Sequence, residues 1–205
     1  MRSRAAASIL ARAGFREVYS MEGGIRAWKG LAASGAPEAG MAHFPPDSPP
    51  SKLTALAWLL EKGTQKFYGE AASGLQDSGA ARLFAELAAA EERHKGTLYR
   101  IHLEIAGAAD DPQFPESVFP ASAAPEYMEG GVEVAKALEW TRGKSPAEVL
   151  EFALALEVNA YDLHLKMEQR MADPRAKKMF ARIADEEKEH LHRLQEHFIR
   201  VMTPG

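Results

Sequence analysis

Two glutamates stand where a helix interior would bury them, and each is followed by a glutamate–histidine pair. Glu61 follows Leu59-Leu60 and Glu157 follows Leu154, Ala155 and Leu156, both inside apolar helical stripes. Thirty residues after each comes a Glu-x-x-His motif, Glu91 with His94 and Glu187 with His190. The spacing of i and i+3 puts both side chains of a pair on one helix face. The second set repeats the first at a constant offset of 96 positions, which also carries Asp77 onto Asp173, Leu60 onto Leu156 and Phe84 onto Phe180. One helical hairpin is used twice, and its ionisable residues lie on the faces that must pack.

Four helices follow from the apolar pattern: residues 51–73, 77–107, 145–171 and 173–200. Ser145, with a proline at 146 and Glu148 three residues on, reads as a capping box, and Asp173-Pro174 as the cap of the last helix. Residues 108–125 hold four prolines and read as loop, and 126–141 read as one short helix. The connections are short, long, short. That is the ferritin-like bundle with one long crossover between the second and third helices.

Two Glu-x-x-His helices facing two helices with one inward glutamate each form a cage for two metal ions. Two divalent ions neutralise four carboxylates while both imidazoles stay neutral. Glu91 and Glu187 are expected to bridge the ions, with Glu61 and Glu157 terminal and His94 and His190 one per ion. Either Glu-x-x-His alone is more often charged surface; both together, each behind a glutamate among leucines, favour the cage. The chain contains no cysteine, which removes disulfides, thiolate nucleophiles, iron–sulfur clusters and rubredoxin-type iron. Carboxylate and imidazole suit iron, manganese or zinc. A net charge of -4 argues against a nucleic-acid binder, and no apolar run is long enough to span a membrane. With no recognisable signal peptide, the expected location is cytoplasmic.

Around the cage, Tyr68 lies seven residues after Glu61 and is expected to hydrogen-bond a ligating carboxylate on a neighbouring helix. His164 holds the equivalent place after Glu157, either near the cage or as a packed core histidine, and Tyr161 lies one turn after Glu157. Glu186 reads as a solvated carboxylate in preference to a partner of His94. His43, His102, His192 and His197 read as surface or packing residues, and Trp58, Phe84 and Phe180 as core.

The stretches LLEKGTQKFYGEAA (59–72), LFAELAAAEERHKGTLY (83–99), LALEVNAYDLHLKM (154–167) and MFARIADEEKEHLHRL (179–194) resemble the rubrerythrin and ferritin-like di-iron superfamily. MEGGVEVAKALEW (128–140) resembles its crossover. The resemblance implies an all-α domain over residues 51–200 with two iron ions held by Glu61, Glu91, His94, Glu157, Glu187 and His190. It implies a di-iron oxidoreductase that reduces peroxide or dioxygen; the alternatives are a ferroxidase handling iron and a non-catalytic metal-binding bundle. Two departures stand out. Leu154 occupies a position where rubrerythrins usually carry a further glutamate, and there is no four-cysteine rubredoxin part, so electrons would come from an external electron-transfer protein or reductase.

Residues 1–40 resemble the last third of a rhodanese domain, in RSRAAASILARAGF and REVYSMEGGIRAWKGLAASG. This would be a small α/β remnant, incapable of sulfur transfer without a cysteine. A proline-rich linker over 41–50 would join it to the bundle. Its unmatched apolar side chains suggest packing on its own bundle or, in preference, on a second subunit in a homodimer.

Overall fold

The computed structural model describes residues 49–119 and 126–202. The expectations for the rhodanese-like segment and most of the linker lie outside the described residues. Four long helices dominate: α1 (Pro50–Gly74), α2 (Ser78–Ala106), α4 (Pro146–Arg170) and α5 (Pro174–Met202). A short α3 (Val134–Thr141) lies in the connection between α2 and α4.

The helix starts are chemically marked. Asp77 accepts the Ala80 N–H at 2.6 Å ahead of α2, and Asp173 accepts the Arg175 N–H at 2.7 Å at the head of α5. Ser145 and Glu148 form a reciprocal capping box on α4, with a proline in its first turn. The α2 end is closed by Gly107 in the left-handed conformation (φ 64°).

Helices α1 and α2 pack as one hairpin and α4 and α5 as the other. Their side chains form two apolar clusters. One gathers Phe67, Phe84, Leu87, Leu150, Leu156 and Leu194; the other gathers Leu53, Leu60, Leu98, Met167, Phe180 and Ile183. Going along the chain, α1 and α5 run from the second cluster to the first, while α2 and α4 run from the first to the second. Because α2 and α4 point the same way, the chain must travel back along the bundle between them. At 1.5 Å per residue, the 29 residues of α2 extend about 43 Å. A tight turn cannot cover that distance, and residues 107–145 supply the return.

The crossover departs from expectation at its centre. Residues 126–141 are not one helix. Two-residue strands β1 (Tyr127–Met128) and β2 (Val132–Glu133) pair antiparallel around Glu129–Gly131, and only then does α3 begin. The reason is the glycine pair: Gly130 and Gly131 have φ of 74° and 69°, a left-handed backbone that breaks a helix. Met128 and Val134 anchor this turn in the first apolar cluster.

Candidate metal centre

Between the two apolar clusters lies one polar layer. Glu61 on α1, Glu91 and His94 on α2, Glu157 on α4, and Glu187 and His190 on α5 are each at most 5% exposed. Ionised carboxylates are not left in such a place without compensation. Their geometry shows what they compensate around. His94 Nδ1 lies 2.9 Å from Glu187 Oε1, 3.0 Å from Glu91 Oε2 and 3.5 Å from Glu61 Oε2. His190 Nδ1 lies 3.1 Å from Glu187 Oε2 and 3.4 Å from Glu157 Oε2. The two imidazoles face each other, ring centres 5.5 Å apart. Glu187 thus reaches one histidine with each of its oxygens.

Two compact ligand sets result, Glu61–Glu91–His94–Glu187 and Glu91–Glu157–Glu187–His190, each with its ligand atoms within 4.8 Å of one another. Glu91 and Glu187 belong to both. Glu61 Oε2, Glu91 Oε1, Glu157 Oε2 and Glu187 Oε1 have no hydrogen-bond partner among the described residues. Four orphaned carboxylate oxygens converging beside two imidazole nitrogens form a donor set that fits hard-to-borderline divalent ions.

Without ions, protons share this layer unevenly. Burial first, then the charges of Glu61 and Glu187, push Glu91 well above the usual carboxylate range. Burial and then the Glu187 charge raise Glu157 to about 8. Burial opposes ionisation of Glu61 too, but hydrogen bonding with Glu91 and the charge of His94 win and hold it at about 2. Burial disfavours charge on the histidines, yet the adjacent carboxylates raise His190 to about 10 and His94 further.

The surrounding residues follow the same twofold repeat. The Tyr68 hydroxyl donates to Glu157 Oε1. His164, its counterpart in the second half, brings Nε2 to 2.8 Å from Glu61 Oε1, so it belongs to the polar layer and not to the ordinary core. Each sits on the paired phenylalanine: Tyr68 against Phe84 and His164 against Phe180, with ring centres 5.1 and 6.0 Å apart. Tyr161 is half-buried and makes no hydrogen bond to this layer.

Glu186 corrects the expectation of a merely solvated carboxylate. Its Oε2 lies 3.2 Å from His94 Nε2, and its Oε1 accepts from Arg182 Nε at 3.0 Å. The His94 hydrogen bond, more than the Arg182 one, holds Glu186 down at about 2. Its outer side lines a surface cavity of about 370 Å³ with Arg93, Arg100 and Arg182. His102 is buried and faces Asp111 Oδ2 at 3.0 Å, His197 faces Asp77 at 3.1 Å, and His192 is exposed. Trp58 packs edge-on against Phe114. His43 lies outside the described residues.

One member of the layer was absent from the sequence reading. Glu129, in the crossover turn, is 1% exposed and brings Oε1 to 3.6 Å from His164 Nε2. Burial, then the charge of Glu61, raises it well above the usual range.

The rubrerythrin family model matches residues 53–198, most of the chain and all of the cage. The chain belongs to the rubrerythrin family. A solved structure, a hypothetical protein from Pyrococcus furiosus, is similar over 82% of this chain and 97% of its own at 21% identity, with a TM-score of 0.58. That likeness is one of fold. A comparison with curated proteins gave no match. Membership in the rubrerythrin family and the buried Glu/His clusters together support metal binding by this domain. No helix among the described residues of the rubrerythrin domain is long and apolar enough to cross a membrane.

Proposed function

We propose that the domain is a di-iron carboxylate oxidoreductase that reduces peroxide or dioxygen with electrons from an external donor. The observation that carries this reading is the convergence of four orphaned carboxylate oxygens and two imidazole Nδ1 atoms in one buried layer. Glu61, Glu91, His94, Glu157, Glu187 and His190 would hold two iron ions there. When bound, such a pair supplies electron transfer to an oxygen–oxygen bond.

The remaining contributions come from the chain's own groups. Glu91 and Glu187, common to both ligand sets, would each contribute to holding both ions. Glu186 accepts from His94 Nε2, which keeps Nδ1 turned toward the cage as a lone-pair donor. Tyr68 holds Glu157 through one oxygen and leaves the other free. The apolar clusters above and below exclude bulk water, which strengthens every charge interaction in the layer. Glu186 also connects buried His94 to the arginine-lined cavity. The sequence contains no cysteine, so thiolate-ligated electron carriers are not part of it.

Anaerobic reconstitution with Fe(II), followed by stopped-flow mixing with peroxide or dioxygen, tests the proposal. The expected result is at least two iron equivalents and an oxidant-dependent rise in near-ultraviolet absorption, both lost in Glu187→Ala. A protein that retains only zinc and gives no optical response to either oxidant would overturn it.

A further inference from the structure

The crossover delivers a fifth carboxylate, Glu129, to a layer in which two divalent ions would balance the other four. The delivery is built into the backbone. The Tyr127 carbonyl packs where a side chain at residue 63 would stand, and Gly63 leaves that space open. A Cβ on Gly130 would come within 2.5 Å of Asn159 Nδ2, so the turn also lies close on α4. The Thr64 hydroxyl accepts the Glu129 N–H at 3.3 Å and divides its one proton between the Leu60 carbonyl at 3.1 Å and Glu129 Oε2 at 3.3 Å. Thr64 therefore holds the Glu129 backbone and lies beside one of its carboxylate oxygens. The other, Oε1, is buried, has no hydrogen-bond partner and faces His164 Nε2.

Glu61 completes the arrangement by dividing its oxygens. Oε2 faces His94 at 3.5 Å, and Oε1 faces His164 at 2.8 Å. Glu61 Oε1, Glu129 Oε1 and His164 Nε2 are all buried and close enough to share one ion. With ligand bonds of about 2.1 Å, separations of 2.8 and 3.6 Å subtend angles of about 80° and 120° at a common centre, within the range of distorted tetrahedral coordination.

We propose that Glu61, Glu129 and His164 form a third cation position beside the di-metal cage, sharing Glu61 with it. The ligand set, one imidazole and two carboxylates, selects a borderline divalent ion such as Zn²⁺, Mn²⁺ or Fe²⁺. The excess carboxylate supplies the charge reason and the orphaned Glu129 Oε1 the geometric one. The competing occupant is a proton, with His164 as an imidazolium paired to Glu129. The repeat explains why the position exists on one side only. The counterpart of His164 is Tyr68, a phenol without a lone-pair nitrogen, and among the described residues no crossover carboxylate stands beside it as Glu129 does beside His164.

The proposal rests on the metal reading of the cage, and the test separates the two. Chelator-stripped full-length protein is titrated with Mn²⁺ alone, and separately with Zn²⁺ alone, and bound metal is counted after desalting. Wild type is expected to bind three equivalents, Glu129→Gln two, and Glu187→Gln no more than one. Two equivalents in both wild type and Glu129→Gln would overturn the third position while leaving the pair intact. A fall from two to one in Glu129→Gln would also overturn it, by making Glu129 a ligand of the pair. Three equivalents undiminished in Glu187→Gln would instead overturn the pair. If Glu129→Gln does not fold, anomalous diffraction from Mn²⁺-soaked wild-type crystals decides. A peak between Glu61, Glu129 and His164 supports the position, and its absence beside an occupied pair overturns it.

Discussion

The Tyr127 carbonyl occupies the space that a side chain at Gly63 would need. The contact joins the middle of α1 to the crossover one residue before Thr64 and two before Glu129, so a helix glycine decides whether that glutamate reaches the interior. Glycine in a helix interior is otherwise unfavourable by about 0.5–1 kcal/mol relative to alanine. Gly63→Ala is therefore expected to destabilise the domain by roughly 1–3 kcal/mol, the usual cost of overpacking. Gly69→Ala, on the same helix with nothing within 4 Å, should instead stabilise it by about 0.5–1 kcal/mol. Chemical denaturation of the two variants checks both signs, and a neutral or stabilising Gly63→Ala would show that the crossover can shift without loss.

Tyr68→Phe removes the donor to Glu157 and leaves a buried acceptor unpaired. The expected cost is about 1–3 kcal/mol in the metal-free protein. Metal affinity should fall by about 10–100-fold, as for other groups that orient a ligand. Competition titration against a chromophoric chelator measures the second effect. Unchanged affinity would mean that Glu157 holds its orientation without the phenol.

Glu186→Ala carries a parallel expectation through a different atom. Losing the acceptor at His94 Nε2 frees the imidazole to change tautomer and should weaken metal binding by about 10–100-fold. The loss should exceed that in Arg182→Ala, because Arg182 touches only the outer oxygen of Glu186. Equal small effects in the two variants would return Glu186 to the role of a surface charge.

The acidic layer predicts a pH dependence that metal weakens. In the metal-free protein, burial opposes charge on His164 and His190, but neighbouring carboxylates raise both from 6.5 to about 10. Burial and Glu187 raise Glu157 from 4.5 to about 8. Raised folded-state values mean that the native state binds these protons more tightly than the unfolded chain. The imidazole contribution is full below about pH 6.5 and disappears as pH rises to about 10. The Glu157 contribution is full below about 4.5 and disappears by about 8. Glu61, held at about 2, contributes throughout that window and loses its share only in acid. Melting temperatures of metal-free protein should therefore fall from pH 6.5 to 10, while metal-loaded protein, whose ions displace the protons, should change less. A metal-free melting temperature that climbs across this window would contradict the assignment.

The cage was legible because each of its signals is local. A carboxylate inside a leucine stripe, a pair at i and i+3, and a 96-residue repeat all survive without knowledge of the fold. Helix geometry also put Tyr68 near the cage, while for His164 it left a place at the cage and one in the ordinary core equally open. Glu129 was not legible, since its burial depends on a turn whose partners, Thr64 and Asn159, lie on two different helices. Its sequence signals were the Gly130-Gly131 pair, which forbids the single helix expected over 126–141, and a glycine within an otherwise helical α1 stripe. Glu186 was hidden by its neighbours: in the charged run 185–189 a residue turned inward looks like one turned out, and only the approach of α2 distinguishes them.

A duplicated hairpin can copy its helices, caps and ligands, but a linear chain has only one link between the copies. The described part of that link brings Glu129 beside Glu61 and His164, and among the described residues it brings nothing comparable to Glu157. The two halves are thus siblings in sequence and strangers in environment. Ions placed in the two ligand sets would differ in local charge and in the order in which they load and release. Directionality in this bundle originates in the joint between its copies, not in the copies themselves.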